Sequence, residues 1–301
     1  MDTGSDMDTD VKAYLLHLKS LKYSQRTIRS YKNEFNRFKK FLSGKNIHRL
    51  KDVSIEDLDR YRLTLTDGKF SNETVYTYLT CVRKLFNFLQ EHQKLFVNPA
   101  SGLIIPKLIR KMKPVPTEDE VYRLLSQPDV TTGIGIRDRA MMETLYSTGA
   151  RVNELVCMNT CDLDLKNGHV KVLGKGNKER VVPLGRQAVF WTRQYLKDVR
   201  KNFLKNKPDD PALWLGCCGR RIHLLMIERA VSGYGKKAGI ALNITPHSLR
   251  RAVATHMLNR GAHPVEIQML LGHSSLQTLG KYLKVSIKDI IKTHSKGRPG
   301  K

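Results

Sequence analysis

The sequence predicts a mainly α-helical protein with one small antiparallel β-sheet, built as an N-terminal helical bundle followed by an α+β domain. Three observations carry this. The opening third of the 301 residues repeats apolar side chains at helical spacing and shows no strand-like alternation. A stretch rich in proline and lysine then breaks the pattern. Beyond it helices return, interrupted once by a period of two that reads as a hairpin.

Taken in order, Val11, Tyr14, Leu15 and Leu18 mark the buried face of a first helix. Ser24 caps a second through Ile28, Tyr31, Phe35, Phe38 and Leu42, with Gly44 as its stop. Ser54 opens a third through Ile55, Leu58 and Tyr61, and Ser71 a fourth from Val75 to Leu89. Pro99, Pro106, Pro114 and Pro116 deny the next stretch a continuous helix, so the expected division is a bundle at 1–105, a basic linker at 106–116 and a second domain at 117–301. Thr117 and Glu120 form a capping box, and a helix through Ile136, Met141 and Leu145 runs to the turn at Thr148-Gly149. HVKVL and ERVVPL, joined by GKGN, read as a β-hairpin. ALWL at 212–215 is a further short strand candidate. Thr245-Pro246 starts a helix that ends near Gly261, Pro264 starts another, and Ser286 with Asp289 caps a last one.

Lys and Arg total 53 against 28 Asp and Glu, a net charge of +25, most of it beyond the linker. Such an imbalance needs a polyanionic partner. In the bundle, Lys19, Lys22, Arg26, Arg29, Lys39 and Lys40 fall on outer faces. Lys107, Arg110, Lys111 and Lys113 make the linker a candidate track for a phosphate backbone, and Lys178, Arg180 and Arg251 extend the set of candidate phosphate contacts. No apolar run approaches the ~18 residues of a membrane span. The acidic start MDTGSDMDTD reads against a secretory signal, so a cytoplasmic, nucleoid-associated protein is expected. The five cysteines include no CxxC pair and are expected to be reduced. Cys217, Cys218 and His223 fit no common zinc spacing.

No phosphate-binding glycine loop, HExxH motif or calcium loop is present, so the expected chemistry uses neither ATP nor a metal, and no cofactor. What remains is a series of basic and polar side chains at predicted element ends: Arg151, Lys175, His247, Arg250, His273 and Tyr282. Singly, each has an ordinary reading as a surface charge, a helix cap or a half-buried aromatic. Jointly, TGARVNEL, VLGKGNKERVVPL, TPHSLRRAVATHML and LLGHSSLQTLGKYLKV stand in an order that resembles the tyrosine recombinase (phage integrase) family, nearest in pattern to its Xer-type members.

The resemblance implies a core DNA-binding bundle and a catalytic domain. It implies Arg151 and Arg250 as guanidinium forks on a phosphodiester, His247 and His273 as further donors, Lys175 as general acid and Tyr282 as nucleophile. Glu154, one turn after Arg151, is expected to orient that arginine. The implied partners are double-stranded DNA carrying a recombination site and three further protomers, as a homotetramer or a heterotetramer. Two other readings stay open at this point: a type IB topoisomerase-like enzyme that nicks and reseals, and a non-catalytic DNA-binding protein. Lys178 lies close enough to Lys175 that the choice of lysine rests on the family pattern, and Arg251 stands where many relatives carry histidine.

Overall fold

The computed structural model describes residues 6–68, 70–108, 114–174, 179–204 and 210–272. The chain forms two compact units that divide between Lys111 and Met112.

The first unit contains α1 (Asp6–Ser20), α2 (Gln25–Ser43), α3 (Ile55–Asp67) and α4 (Asn72–Glu91). Short polar side chains set three of the four starts, because each supplies an acceptor for an otherwise orphaned backbone N–H. Ser24 accepts from Thr27 N at 3.1 Å and Ser71 from Thr74 N at 3.3 Å. Ser54 and Asp57 exchange bonds reciprocally. Phe35, Phe38, Leu42, Leu58, Leu79 and Phe86 fill the space between the helices. Each contributes about 1.5–3 kcal/mol of burial. Tyr14 and Tyr61 lie in this core and Tyr31 and Tyr78 pack against it. Asn98 closes the unit by accepting from Ala100 N at 2.9 Å in a 3₁₀ turn, Pro99–Gly102.

The second unit is built around α6 (Gly133–Thr148), which follows α5 (Glu118–Leu125) and is buried on every side. Its interior charges are matched in place: Arg137 pairs with Asp138 at 2.7 Å and Arg139 with Glu143 at 2.9 Å. Unpaired, each would carry a severe desolvation cost. After α7 (Val152–Cys157) come β1 (Leu163–Asp164), β2 (His169–Leu173) and β3 (Glu179–Pro183), an antiparallel sheet in the order β1-β2-β3. The hairpin expected from the alternation is β2–β3, and β1 adds a two-residue edge. Helices α8 (Arg186–Gln194) and α9 (Arg200–Leu204) are joined by a π-helical turn at Tyr195–Val199. They are followed by α10 (Leu224–Lys237), α11 (Pro246–Asn259) and α12 (Pro264–Leu271).

ALWL is not a strand of the sheet. All four residues are fully buried, but their backbone groups find separate partners instead of one ladder: Leu213 N donates to Met158 O, Ile222 N to Trp214 O and Leu215 N to the Tyr195 hydroxyl. A short apolar run reads the same whether it fills a core as strand or as loop. The expected last helix, 286–293, lies outside the described residues. Among the described residues, no helix is long and apolar enough to cross a membrane.

His256 of α11 ties the entry of this unit to its centre. Its Nε2 lies 3.0 Å from Pro116 O and its Nδ1 2.8 Å from the Tyr146 hydroxyl. Because a carbonyl only accepts, Nε2 carries the proton, and in the neutral ring Nδ1 accepts from the Tyr146 hydroxyl. Burial accordingly holds the His256 pKa below its ordinary value, against opposing contributions from Pro116 O and Glu118. A histidine depressed in the folded state contributes stability that is complete above its unfolded pKa, near 6.5, and is lost as pH falls through the folded value. Denaturant unfolding at pH 7.5, 6.5 and 5.5 is therefore expected to show stability falling on acidification, and His256→Gln is expected to flatten that fall.

Candidate active site

Four segments far apart in sequence meet around one carboxylate. The first is the end of α6. Gly149 takes the left-handed conformation, φ +58°, that terminates the helix. A side chain there would also meet Leu271 Cδ2 at 2.5 Å. Two residues later Arg151 sits at the N-cap of α7, its side chain 42 % exposed. Glu154, in the first turn of that helix, accepts from Arg151 N at 2.9 Å and from Arg151 Nη1 at 2.7 Å. Glu154 thus holds Arg151 by both its backbone and its side chain.

The second and third segments are α11 and the end of α12. Thr245 accepts from Ser248 N at 3.1 Å and Pro246 occupies the first helical position, so α11 starts where the motif predicted. His247 is exposed in its first turn and Arg250, three residues on, is buried. Arg250 donates to Gly149 O and, at 2.6 Å, to Leu271 O, and its Nη1 lies 3.9 Å from Glu154 Oε2. Helix α12 docks on α11 through Ala254, Ile267 and Leu271, then stops at Gly272 with φ +60°. His273 is the next residue in the chain and lies outside the described residues, as do Lys175, Lys178 and Tyr282.

Arg180, a candidate DNA contact from the sequence, supplies the fourth segment. Its side chain is only 15 % exposed and is turned into the site. It donates from Nη2 to Glu154 Oε2 at 2.8 Å, from Nη1 to Oε1 at 3.3 Å and from Nε to Leu270 O at 3.0 Å. The reason is strand register. Arg180 pairs with Val172, and along β3 it shares a face with Val182 rather than with the exposed Val181. The signal was present as a period of two. The two adjacent valines allow either phase, however, and the sequence does not say which one faces inward.

One buried carboxylate therefore faces three guanidinium groups. Burial pushes the Glu154 pKa up, but hydrogen bonds from Arg180 and Arg151 outweigh it and hold the carboxyl below its ordinary range. The cluster keeps an excess of positive charge in a setting where charge–charge interactions are weakly screened, which favours an incoming anion.

The other predicted cations are distributed as follows. Lys19, Lys22, Arg26, Arg29, Lys40 and Lys107 are exposed. Lys39 is partly covered and paired with Asp8. Arg251 is half-buried and donates to Pro114 O at 3.2 Å. Arg110, Lys111 and Lys113 lie outside the described residues.

Comparison with known proteins now bears on this geometry. Residues 115–288, more than half of the chain, match the model of the phage integrase family, and residues 11–93 match that family's N-terminal SAM-like domain. The chain belongs to the phage integrase family. It is 36 % identical over 261 residues to the tyrosine recombinase XerC of Herpetosiphon aurantiacus, covering 86 % of this chain and 85 % of that one. To the tyrosine recombinase XerD of Staphylococcus epidermidis it is 33 % identical over 294 residues, covering 97 % and 99 %. Its fold matches a lambda integrase tetramer bound to a Holliday junction with a TM-score of 0.75 at 17 % identity, over 93 % of this chain and 78 % of that one. The SAM-like bundle and the integrase catalytic domain are thus the family's two parts, and the chain is a tyrosine recombinase of Xer type.

Gly149 offers a direct check on how tightly the site is built. Gly149→Ala is expected to lower unfolding stability by roughly 2–4 kcal/mol, combining a left-handed backbone with overpacking against Leu271. Urea unfolding measures it.

Proposed function

We propose that this protein is a site-specific DNA recombinase that cuts and rejoins duplex DNA through a 3′-phosphotyrosyl intermediate and a four-way junction. The observation that carries the mechanism is the convergence of Arg151, Arg250 and the C-terminal end of α12 on the buried Glu154.

A phosphodiester under attack becomes a pentacoordinate phosphorane with added charge on its non-bridging oxygens. Arg151 and Arg250 bind those oxygens. Because Glu154, Gly149 O and Leu271 O already hold both guanidinium groups, little reorganisation is needed when the charge develops. Glu154 orients Arg151. His247, in the first turn of α11, and His273, the residue after Gly272, add donors to the same oxygens. Tyr282 attacks phosphorus, forming the O–P bond as the bond to the 5′-oxygen breaks, and its phenolic proton passes to His247. Lys175 protonates the departing 5′-oxygen. The phosphotyrosyl link conserves the energy of the broken bond, so a 5′-hydroxyl of another strand reverses the step without ATP.

Both the bundle and the catalytic unit bind the duplex through their exposed cations. Four copies of this chain assemble on two sites, in the cytoplasm at the nucleoid. Supporting this reading are the exposed cations of both units and the solved lambda integrase tetramer on a Holliday junction. Affinity for a duplex is expected to fall by about 10³-fold or more between roughly 50 and 200 mM salt, as counterion release by six or more phosphate contacts requires. Arg26→Ala together with Arg29→Ala is expected to make the slope shallower.

The test is a duplex nicked beside the scissile phosphate, its sequence taken from what the protein enriches from a random pool. Incubated in EDTA without ATP, it is expected to yield a covalent complex through a 3′-phosphate, with a free 5′-hydroxyl. No complex on demonstrably bound DNA would make the protein a binder only. Relaxation of supercoiled plasmid with no strand exchange between two sites would make it a topoisomerase-like enzyme.

A further inference from the structure

We infer that Arg180 is a positioning residue for strand cleavage: it fixes Glu154 and the end of α12 relative to β3, and so holds Arg151 in working register. The inference rests on the recombinase reading above and adds to it a residue that the four sequence boxes give no role in the reaction.

The geometry gives one guanidinium three tasks. Its two terminal nitrogens engage both oxygens of Glu154, and its Nε engages Leu270 O in the last turn of α12. The planar fork of arginine suits this combination, and a lysine ammonium, a point charge on a flexible stem, can reproduce only part of it. The backbone carbonyls at a helix C-terminus lack partners within the helix and carry partial negative charge, so a cation at Leu270 O stabilises the end of α12 where it stops.

A second observation points the same way. Gly272 lies directly against Arg180: a Cβ on it would stand 3.0 Å from Arg180 Nη1 and 3.1 Å from Cδ and Cζ. The left-handed φ of +60° already favours glycine there, and the packed guanidinium adds a steric reason. Arg180 therefore touches the last described residue before His273. It sits on β3 and binds the carboxylate that holds Arg151.

There is also an electrostatic consequence. With Arg180 bound, Glu154 orients Arg151 while its own negative charge is shared with Arg180 and the more distant Arg250. Without Arg180, Glu154 would offset the charge of Arg151 that the phosphorane needs. The loss should therefore appear in the cleavage step and not in DNA affinity.

The experiment compares wild type, Arg180→Lys, Arg180→Gln, Glu154→Gln and the Arg180→Gln/Glu154→Gln double variant on the nicked duplex described above. It measures single-turnover cleavage at saturating protein and Kd for the same duplex without the nick. Arg180→Lys and Arg180→Gln are expected to slow cleavage by on the order of 10–100-fold, the range for a small misplacement of a catalytic group. Their Kd should stay within about twofold of wild type. The double variant should be no slower than the slower single variant, since both changes break the same link. If Arg180→Gln unfolds, Arg180→Lys, which keeps the buried charge opposite Glu154, carries the comparison.

Cleavage by a folded Arg180→Lys at the wild-type rate would overturn the inference. So would a loss confined to Kd and its salt slope, which would make Arg180 a phosphate contact. Multiplying losses in the double variant would show that Arg180 does not act through Glu154. If wild type itself forms no covalent complex, the recombinase reading fails and the inference falls with it. Failure of the inference alone leaves wild-type cleavage intact.

Discussion

Tyr282→Phe is expected to abolish the covalent protein–DNA complex, a loss on the order of 10⁴-fold or more, while duplex affinity stays within about twofold. Phenylalanine keeps the ring and removes only the oxygen that forms the bond to phosphorus. The comparison with other tyrosines makes the point sharper. A phenol ordinarily titrates near pH 10 and must be helped toward phenolate by surrounding positive charge. Tyr14 and Tyr61 sit in the core of the first unit, where burial pushes their phenols further up. Tyr195 and Tyr234 are pushed up to about 12, mainly by burial. None of these is poised to attack. The cluster of Arg151, Arg180 and Arg250 around a single carboxylate has the sign a nucleophilic phenolate needs. Quench-flow cleavage with Tyr14→Phe or Tyr195→Phe beside Tyr282→Phe checks the assignment, and only the last is expected to eliminate the adduct.

Arg151→Ala is expected to slow cleavage by about 10²–10³-fold, the usual loss for one preorganised donor to a developing oxyanion. Stability should change little. The Arg151 side chain is 42 % exposed, and Glu154 keeps Arg180 as a partner when Arg151 is truncated. Arg250 behaves differently because it is buried and spans Gly149 O and Leu271 O. Arg250→Ala is expected to lose both activity and stability, since two carbonyls and part of the charge opposite Glu154 are left without their partner. Single-turnover rates alongside urea unfolding separate the two: Arg151→Ala falls on the rate axis alone, Arg250→Ala on both.

The features legible in the sequence are those decided within a few residues. Ser24, Ser54, Ser71, Thr117 and Thr245 announce their helices because a cap needs only the next turn, and all five cap as expected. The alternation of HVKVL and ERVVPL announces β2 and β3 for the same reason. The order of the four motif boxes is also a local property, and it led directly to the family. What the sequence did not disclose depends on partners far along the chain. ALWL fills a core against Met158, Tyr195 and Ile222, and its composition alone leaves strand and loop equally open. Arg180 turns inward because Val182, not Val181, faces the core, a choice made by pairing with Val170 and Val172. The link from Arg250 to Gly149 spans a hundred positions and has no local signature.

The most direct test of the account is to find which side chain carries the DNA. The trapped covalent complex is digested with trypsin and nuclease, and the phosphodeoxynucleotide-linked peptide is sequenced by mass spectrometry. Lys281 and Lys284 flank Tyr282, so the account predicts the nucleotide on the tripeptide Tyr282-Leu283-Lys284, attached through its 3′-phosphate. A nucleotide found on any other tyrosine, or joined through a 5′-phosphate, would contradict it.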